Sequence, residues 1–275
     1  MDKLTSILAI VEDSSAAGLL VVDKAAWLAR QFGARLEVLA GDTKLLPELS
    51  TRCSTLPVDK VTIAYLLHAG EPLSRALLRH VHDHRPDLLV KVRSSDRADC
   101  RLARQCPAPV LLTGPTPWRE LVRIAAAVDV ADADAAREAR ATLQAAGFLA
   151  LGCEGDLDVL YGEREKSDEP LRMERAVKLA QLVREFRVGC ERMQMFDGPP
   201  EECLPRLITA RRYDVLVVGL LPESLRARLA EATGGDVLLV SGVGRERRLV
   251  RERKNSVSNW PRDSSGLEQP LHQRQ

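Results

Sequence analysis

The chain has 275 residues, 45% of them apolar and 29% charged, and a formal net charge of +1. That length predicts two domains, and a balanced charge gives no electrostatic reason to expect nucleic acid or an acidic membrane as the main partner. No apolar stretch approaches the roughly 18 residues that a membrane span needs, and with aromatics at only 4% the core is expected to come from Leu, Val, Ile and Ala, the palette of strands covered by helices on both faces.

In chain order, Ile7 to Val11 is an apolar run of strand length that leads into Glu12, so the N-terminal segment reads as a first strand and not as an export signal. Asp13, Ser14 and Ser15 offer helix caps, and Leu19, Val22, Ala26 and Ala29 carry a helical period up to Phe32, with Gly33 at the position that ends a helix. Leu36 to Leu39 is a second strand. The stretch from Gly41 to about Val58 carries no assigned element, and Val61 to Leu67 is a third strand. Pro72 opens a helix with Leu73, Ala76, Leu77 and Val81 on one face, and Leu88 to Val92 and Val110 to Thr113 are strands four and five. After Gly114-Pro115-Thr116-Pro117, which reads as a linker, strands are expected near Ile124–Val128, Leu157–Tyr161, Glu191–Phe196, Val215–Val218 and Val237–Val240. Helices are expected near Asp132–Ala146, Pro170–Phe186 and Glu201–Arg212, the last with a kink or a late start at Pro205.

The two halves repeat. Val110 lies 23 residues after Asp87 of Asp87-Leu88-Leu89-Val90, and Val237 lies 23 residues after Asp214 of Asp214-Val215-Leu216-Val217. A glycine-proline turn stands upstream of each, Gly70-Glu71-Pro72 and Gly198-Pro199-Pro200. Each half opens with an apolar run ending in an acid, at Glu12 and at Asp129. Strands alternating with helices imply a mostly parallel sheet with right-handed crossovers and any ligand site at the carboxyl ends of the strands. The expected division is a first domain over 1–114, a second over 115–244 and a charged, disordered tail over 245–275.

These features resemble the universal stress proteins, specifically the tandem, E-type members with two domains in one chain. The resemblance rests on the opening strands ILAIVE and IAAAVD, on the closing pairs DLLV…APVLL and DVLVV…GDVLLV, and on the cysteine-proline turn of Asp99 to Pro109. It covers residues 4 to about 242. It implies two Rossmann-like domains of the adenine nucleotide alpha hydrolase-like type, each a five-stranded parallel sheet flanked by helices. The two domains would pair through their last strands as a pseudo-dimer within one chain, which could dimerise further. It also implies a cytoplasmic protein of the stress response that is not an enzyme.

ATP-binding members of that family carry an acid after strand one and a G-x-x-G-x9-G-[S/T] loop after strand four, whose glycines let backbone N–H groups reach phosphate. The second half keeps Asp129, Gly219 and Thr233, but Pro222 and Ala232 replace the other two glycines. The first half has Glu12 at the acid position, Val92 at the first glycine and no glycine through Cys106. Its Arg93, Arg97, Arg101 and Arg104 read as the basic face of an amphipathic helix. Asp13 and Asp129 also read as helix caps. No cofactor is therefore expected, with ATP at Asp129, Gly219 and Thr233 as the alternative. The expected partner is a protein or a small apolar ligand.

His80 and His84 share one helix face, as paired metal ligands can, but they also read as helix C-terminal residues meeting the helix dipole, and no metal site is assigned to them. The six cysteines form no C-x-x-C pair and are expected to be free thiols. Neither a nucleophile elbow nor a Walker loop is present.

Overall fold

The computed structural model describes residues 3–66, 70–94, 96–130, 133–163, 168–185, 190–198, 200–219, 228–229, 231–232 and 234–240. The first half runs β1 (Ser6–Val11), α1 (Ala16–Phe32), β2 (Arg35–Ala40), a 3-10 turn (Thr43–Leu45), α2 (Leu46–Cys53), β3 (Val61–Tyr65), α3 (Leu73–His84), β4 (Leu88–Val92), α4 (Asp96–Gln105) and β5 (Val110–Thr113). The second half runs β6 (Arg123–Val128), α5 (Ala133–Gly152), β7 (Asp156–Glu163), α6 (Glu169–Glu185), β8 (Cys190–Asp197), α7 (Pro200–Arg211), β9 (Val215–Val218) and β10 (Asp236–Leu239).

Local chemistry sets the element ends. Ser15 caps α1 by accepting the Gly18 N–H at 3.1 Å, and Asp13 accepts the Ser15 N–H at 2.9 Å. Asp13 thus orders the turn before the helix. Gly33, in the left-handed region at φ 62°, closes α1 through its N–H to Ala29 and Arg30. α2 falls inside the stretch that carried no assigned element. It has only eight residues, of which Leu49 and Cys53 are buried, so two apolar positions a turn apart were too few to declare a period. α7 starts at Pro200 and continues through Pro205. Pro205 is its sixth residue, so the helix forgoes the one hydrogen bond that an N–H there would give the Glu201 carbonyl.

The strands form one ten-stranded sheet in the order β3-β2-β1-β4-β5-β10-β9-β6-β7-β8. Neighbours are parallel within each set of five, and β5 and β10 are antiparallel, with Leu111 opposite Leu238. The second five strands repeat the order of the first, and the carboxyl ends of the two sets lie at opposite edges of the sheet. Met1–Gly242 make one compact unit.

Alternate strand residues feed two apolar layers. On one face Ile7, Val38, Val90, Ile124 and Val217 meet Val21, Val22 and Leu28 of α1 and Leu143 and Ala146 of α5. On the other, Leu8, Leu39, Leu89, Val110 and Leu216 meet Leu77 and Val81 of α3, Leu102 of α4 and Leu204 and Ile208 of α7. Phe32 of α1 stacks on Phe148 of α5, with ring centroids 4.7 Å apart, joining the halves on the first face.

The seam holds a buried ion pair. Lys24 of α1 and Asp236 of β10 are 3% and 0% exposed, with Nζ 2.6 Å from Oδ1. Lys24 also donates to the Gly114 carbonyl at 3.1 Å. Asp236 accepts the Gly114 N–H at 2.8 Å on Oδ1 and the Trp118 indole N–H at 2.8 Å on Oδ2. Trp118 in turn meets Trp27 edge to face at 5.3 Å. Gly114 fits because a Cβ there would lie 2.7 Å from the Gly235 carbonyl oxygen. The segment expected as a linker is therefore pinned at its first residue. Burial pushes the Lys24 ammonium below its ordinary pKa and the Asp236 carboxyl above its own, and each charge opposes the other's shift.

Removing one partner strands a buried charge, so Lys24→Ala or Asp236→Ala is expected to lower unfolding free energy by about 3–5 kcal/mol. Urea denaturation checks this, and Lys24→Met combined with Asp236→Leu should recover only part of the loss, because it removes both charges but leaves the Gly114 and Trp118 N–H groups without their acceptor. The core also shields Cys106 and Cys153, where burial pushes the thiols up to about 11 and about 12. At pH 8 roughly one thiol in a thousand or fewer is then reactive thiolate. Mass spectrometry after native iodoacetamide treatment should find both unmodified, and both modified after treatment in urea.

Candidate functional site

In open α/β sheets ligands bind outside the carboxyl ends of the strands where the strand order reverses. Here that happens twice, between β1 and β4 and between β6 and β9, which pair directly.

Between β1 and β4 the position is filled by the protein itself. Lys91, the fourth residue of β4, is 5% exposed. Its ammonium donates to the Val92 carbonyl at 2.9 Å, to Ser94 Oγ at 3.2 Å and to Asp99 Oδ1 at 2.8 Å. A lysine has three donors, and all three are used. Asp99 of α4 is 2% exposed and also accepts the Ser94 N–H at 2.7 Å and the Ser94 hydroxyl at 2.8 Å. Glu12, at the carboxyl end of β1, adds a second carboxylate 3.6 Å from Lys91 Nζ. Of the arginines in this segment, Arg93 reaches over the seam to the Gly235 carbonyl at 3.4 Å, while Arg101 and Arg104 are exposed on α4. The side chain of Arg97 lies outside the described residues. Lys91 and Asp99 were missed in the sequence. The available signal was a lysine inside the run Leu88-Leu89-Val90-Lys91-Val92, in a strand with both faces covered, where a cation requires a buried partner.

Between β6 and β9 the topology brings two sequence-predicted residues together. Val218 pairs with Ala127, so Gly219 and Asp129 follow at the carboxyl ends of adjacent strands. Asp129 is half-buried and Gly219 buried. A Cβ on Gly219 would lie 3.2 Å from Thr142 Oγ1 and 3.4 Å from Glu138 Oε2. Helix α5 therefore crowds this glycine and sets a carboxylate beside it, where a phosphate would meet like charge. Thr233 and Pro222 lie outside the described residues. Ala232 offers its carbonyl to the Thr209 hydroxyl at 3.1 Å.

Two further polar groupings lie away from the carboxyl ends. Asp158 of β7 is buried and accepts from the Tyr213 hydroxyl at 2.6 Å and Arg211 at 3.2 Å. Burial, aided by Asp158, pushes the Tyr213 phenol well above its ordinary pKa. Both line a small polar crevice with Arg123, Asp156 and Arg192. On α3, His80 and His84 stack at 3.8 Å and meet Glu37 of β2, which sequence spacing did not connect to them. An apolar crevice lined by Leu28, Phe32, Phe148 and Leu149 has a volume of about 10 Å³, room for one water and not for an organic ligand. Among the described residues no helix is long and apolar enough to cross a membrane.

The two carboxylates beside Lys91 differ in what they do. Asp99→Ala leaves a buried ammonium without its partner and is expected to cost about 3–5 kcal/mol. Glu12 is 40% exposed and only flanks the buried ammonium at 3.6 Å, so Glu12→Gln is expected to cost about 1 kcal/mol or less. Paired denaturation curves check the contrast.

No family model matches this sequence, and no curated protein matches it. Solved structures do. A provisionally named universal stress protein of Pseudomonas aeruginosa UCBPP-PA14 superposes with a TM-score of 0.71 at 20% identity, over 86% of this chain and 93% of its own. A protein of unknown function from Pseudomonas aeruginosa PAO1 also gives 0.71, at 19% identity, over 90% of this chain and 98% of its own. A universal stress protein of Archaeoglobus fulgidus gives 0.59 at 14% identity, over 86% and 97%. Identities this low carry the architecture alone. The parallel-dominated sheet, its strand order and its flanking helices give this chain the universal stress protein fold.

Proposed function

We propose that the chain is a universal stress protein-like protein made of two tandem domains of that fold, which acts in the cytoplasm by binding a protein partner and catalyses no reaction. The repeated strand order and the antiparallel β5–β10 seam support two domains joined as a pseudo-dimer within one chain. The observation that carries the functional part is the closed network of Lys91. Where a nucleotide phosphate would need free N–H donors, this crevice has a lysine with every donor engaged and two carboxylates around it. A phosphate entering there would have to break buried hydrogen bonds and approach Asp99 and Glu12.

The apolar crevice between α1 and α5 has room only for a water, so it gives no support to a small apolar ligand at that place. Apolar side chains do reach the surface on α6, where Met173 and Val177, one turn apart, are 59% and 48% exposed, and on the edge strand β8, where Met193 is 42% exposed. Such groups suit a protein contact, either with another protein or with a second copy of the chain.

One observation favours a second reading. Asp129 and Gly219 stand together at the β6–β9 switch, so the second half keeps part of a nucleotide site. Adenine nucleotide would then bind with Asp129, Gly219 and Thr233. Thermal unfolding with millimolar ATP, ADP or AMP and magnesium separates the two. A ligand at about 100 times its Kd adds about 2.7 kcal/mol of stability. We expect no shift with any nucleotide. A clear shift that Asp129→Ala abolishes would overturn the main reading in favour of the second.

A further inference from the structure

We infer that Glu37, His80 and His84 form a binding site for a divalent transition metal of the zinc type, independent of either nucleotide crevice. The apolar stripe of α3 that faces the sheet, Ala76, Leu77 and Val81, ends with His80 and His84 on the same side of the helix. Below them β2 presents a carboxylate. Leu36 and Val38 enter one apolar layer, while Glu37 between them points to the face that α3 covers. The His80 Nε2 lies 3.0 Å from Glu37 Oε1, and the two imidazoles stack 3.8 Å apart, 13° from parallel.

One ligand atom from each of the three residues falls within 4.8 Å of the others. Tetrahedral zinc with bonds of about 2.0–2.1 Å sets its ligand atoms roughly 3.4 Å apart. Small side-chain rotations therefore close the triangle around one ion. His84 is also oriented for the task. Its Nδ1–H donates to the His80 carbonyl at 3.0 Å, which leaves the Nε2 lone pair for a metal and fixes the ring. This is the outer hydrogen bond that metal-bound histidines use. In the metal-free protein Glu37 accepts a hydrogen bond from His80 Nε2–H; a metal at Nε2 displaces that hydrogen, which passes to Nδ1 of a neutral ring or, from a charged ring, leaves one proton to solvent. Two imidazoles and one carboxylate match zinc, nickel or copper better than magnesium or calcium, which prefer oxygen alone. Glu37 and His80 are part-buried while His84 is exposed, so the remaining position opens to water or to a side chain of a partner protein.

The full-length chain is titrated with Zn²⁺ against a chromophoric chelator, and with Co²⁺ while the visible spectrum is read. One equivalent is expected. His84→Ala and Glu37→Gln should each weaken it at least ~10-fold, the lower bound for losing even an outer partner of a metal ligand. His82→Ala, on the same helix but outside the cluster, should bind as the parent does. His84→Ala loses only an exposed hydrogen bond and a surface ring stack, so without metal it should melt close to the parent temperature, and Zn²⁺ should raise the melting temperature of the parent but not of His84→Ala. Three results would overturn the site: no Zn²⁺ binding by the parent, parent-like affinity in His84→Ala, or a sulfur-to-cobalt charge-transfer band, which would place the metal on cysteine.

Discussion

The pairing of β5 with β10 turns ten strands into a single sheet, and the buried Lys24–Asp236 ion pair holds that seam. An ammonium and a carboxylate removed from water are unfavourable unless every polar atom near them is matched. The match here draws on parts remote in sequence: a helix of the first half, the residue that follows β5, an indole and the first residue of β10. An apolar pair would leave the Gly114 and Trp118 N–H groups without an acceptor, and an ion pair held by three further hydrogen bonds accepts one register only. A slip of β10 by one residue would bury both charges apart and turn every side chain of that strand to the wrong face. On this view the pair specifies the geometry of the seam more than it adds to net stability.

The same economy explains the crevice at β1 and β4. Parallel strands with both faces covered leave an opening where the order reverses, and that opening must be filled by a ligand, by water or by side chains. In this chain Lys91 and Asp99 fill it, with Ser94 completing the hydrogen bonds. At the other switch, Gly219 lies close under Thr142 and Glu138 of α5. The fold alone assigns no reaction.

The histidine cluster lies on α3, away from both switch points, and its parts do different structural work when no metal is present. His80 forms an ion pair with Glu37 when charged, and His84 satisfies a carbonyl in the last turn of the helix. The stripe that would otherwise continue the core ends in ligand-type side chains over a strand carboxylate. A metal there would tie α3 to β2 on the outer part of the first five strands.

Most of the fold was legible in the sequence. All ten strands and most helices follow from apolar runs, from helical period, and from caps such as Ser15 and Gly33, because these are local properties of a few consecutive residues. The order of the halves followed from matched landmarks at equal spacing. α2 was not legible, since eight residues with two buried positions present too little pattern. What the sequence by itself determined, then, is the succession of elements and the candidate acids and glycines at strand ends. Only the tertiary structure decided which side chains meet. Lys24 with Asp236 and Lys91 with Asp99 and Glu12 join residues from different elements, and Glu37 reaches His80 and His84 from a strand that precedes them by more than forty residues. Spacing along the chain carries no information about such meetings, because they depend on how helices cross the sheet, and it is there that an acid becomes an ion-pair partner, a cap or a metal ligand.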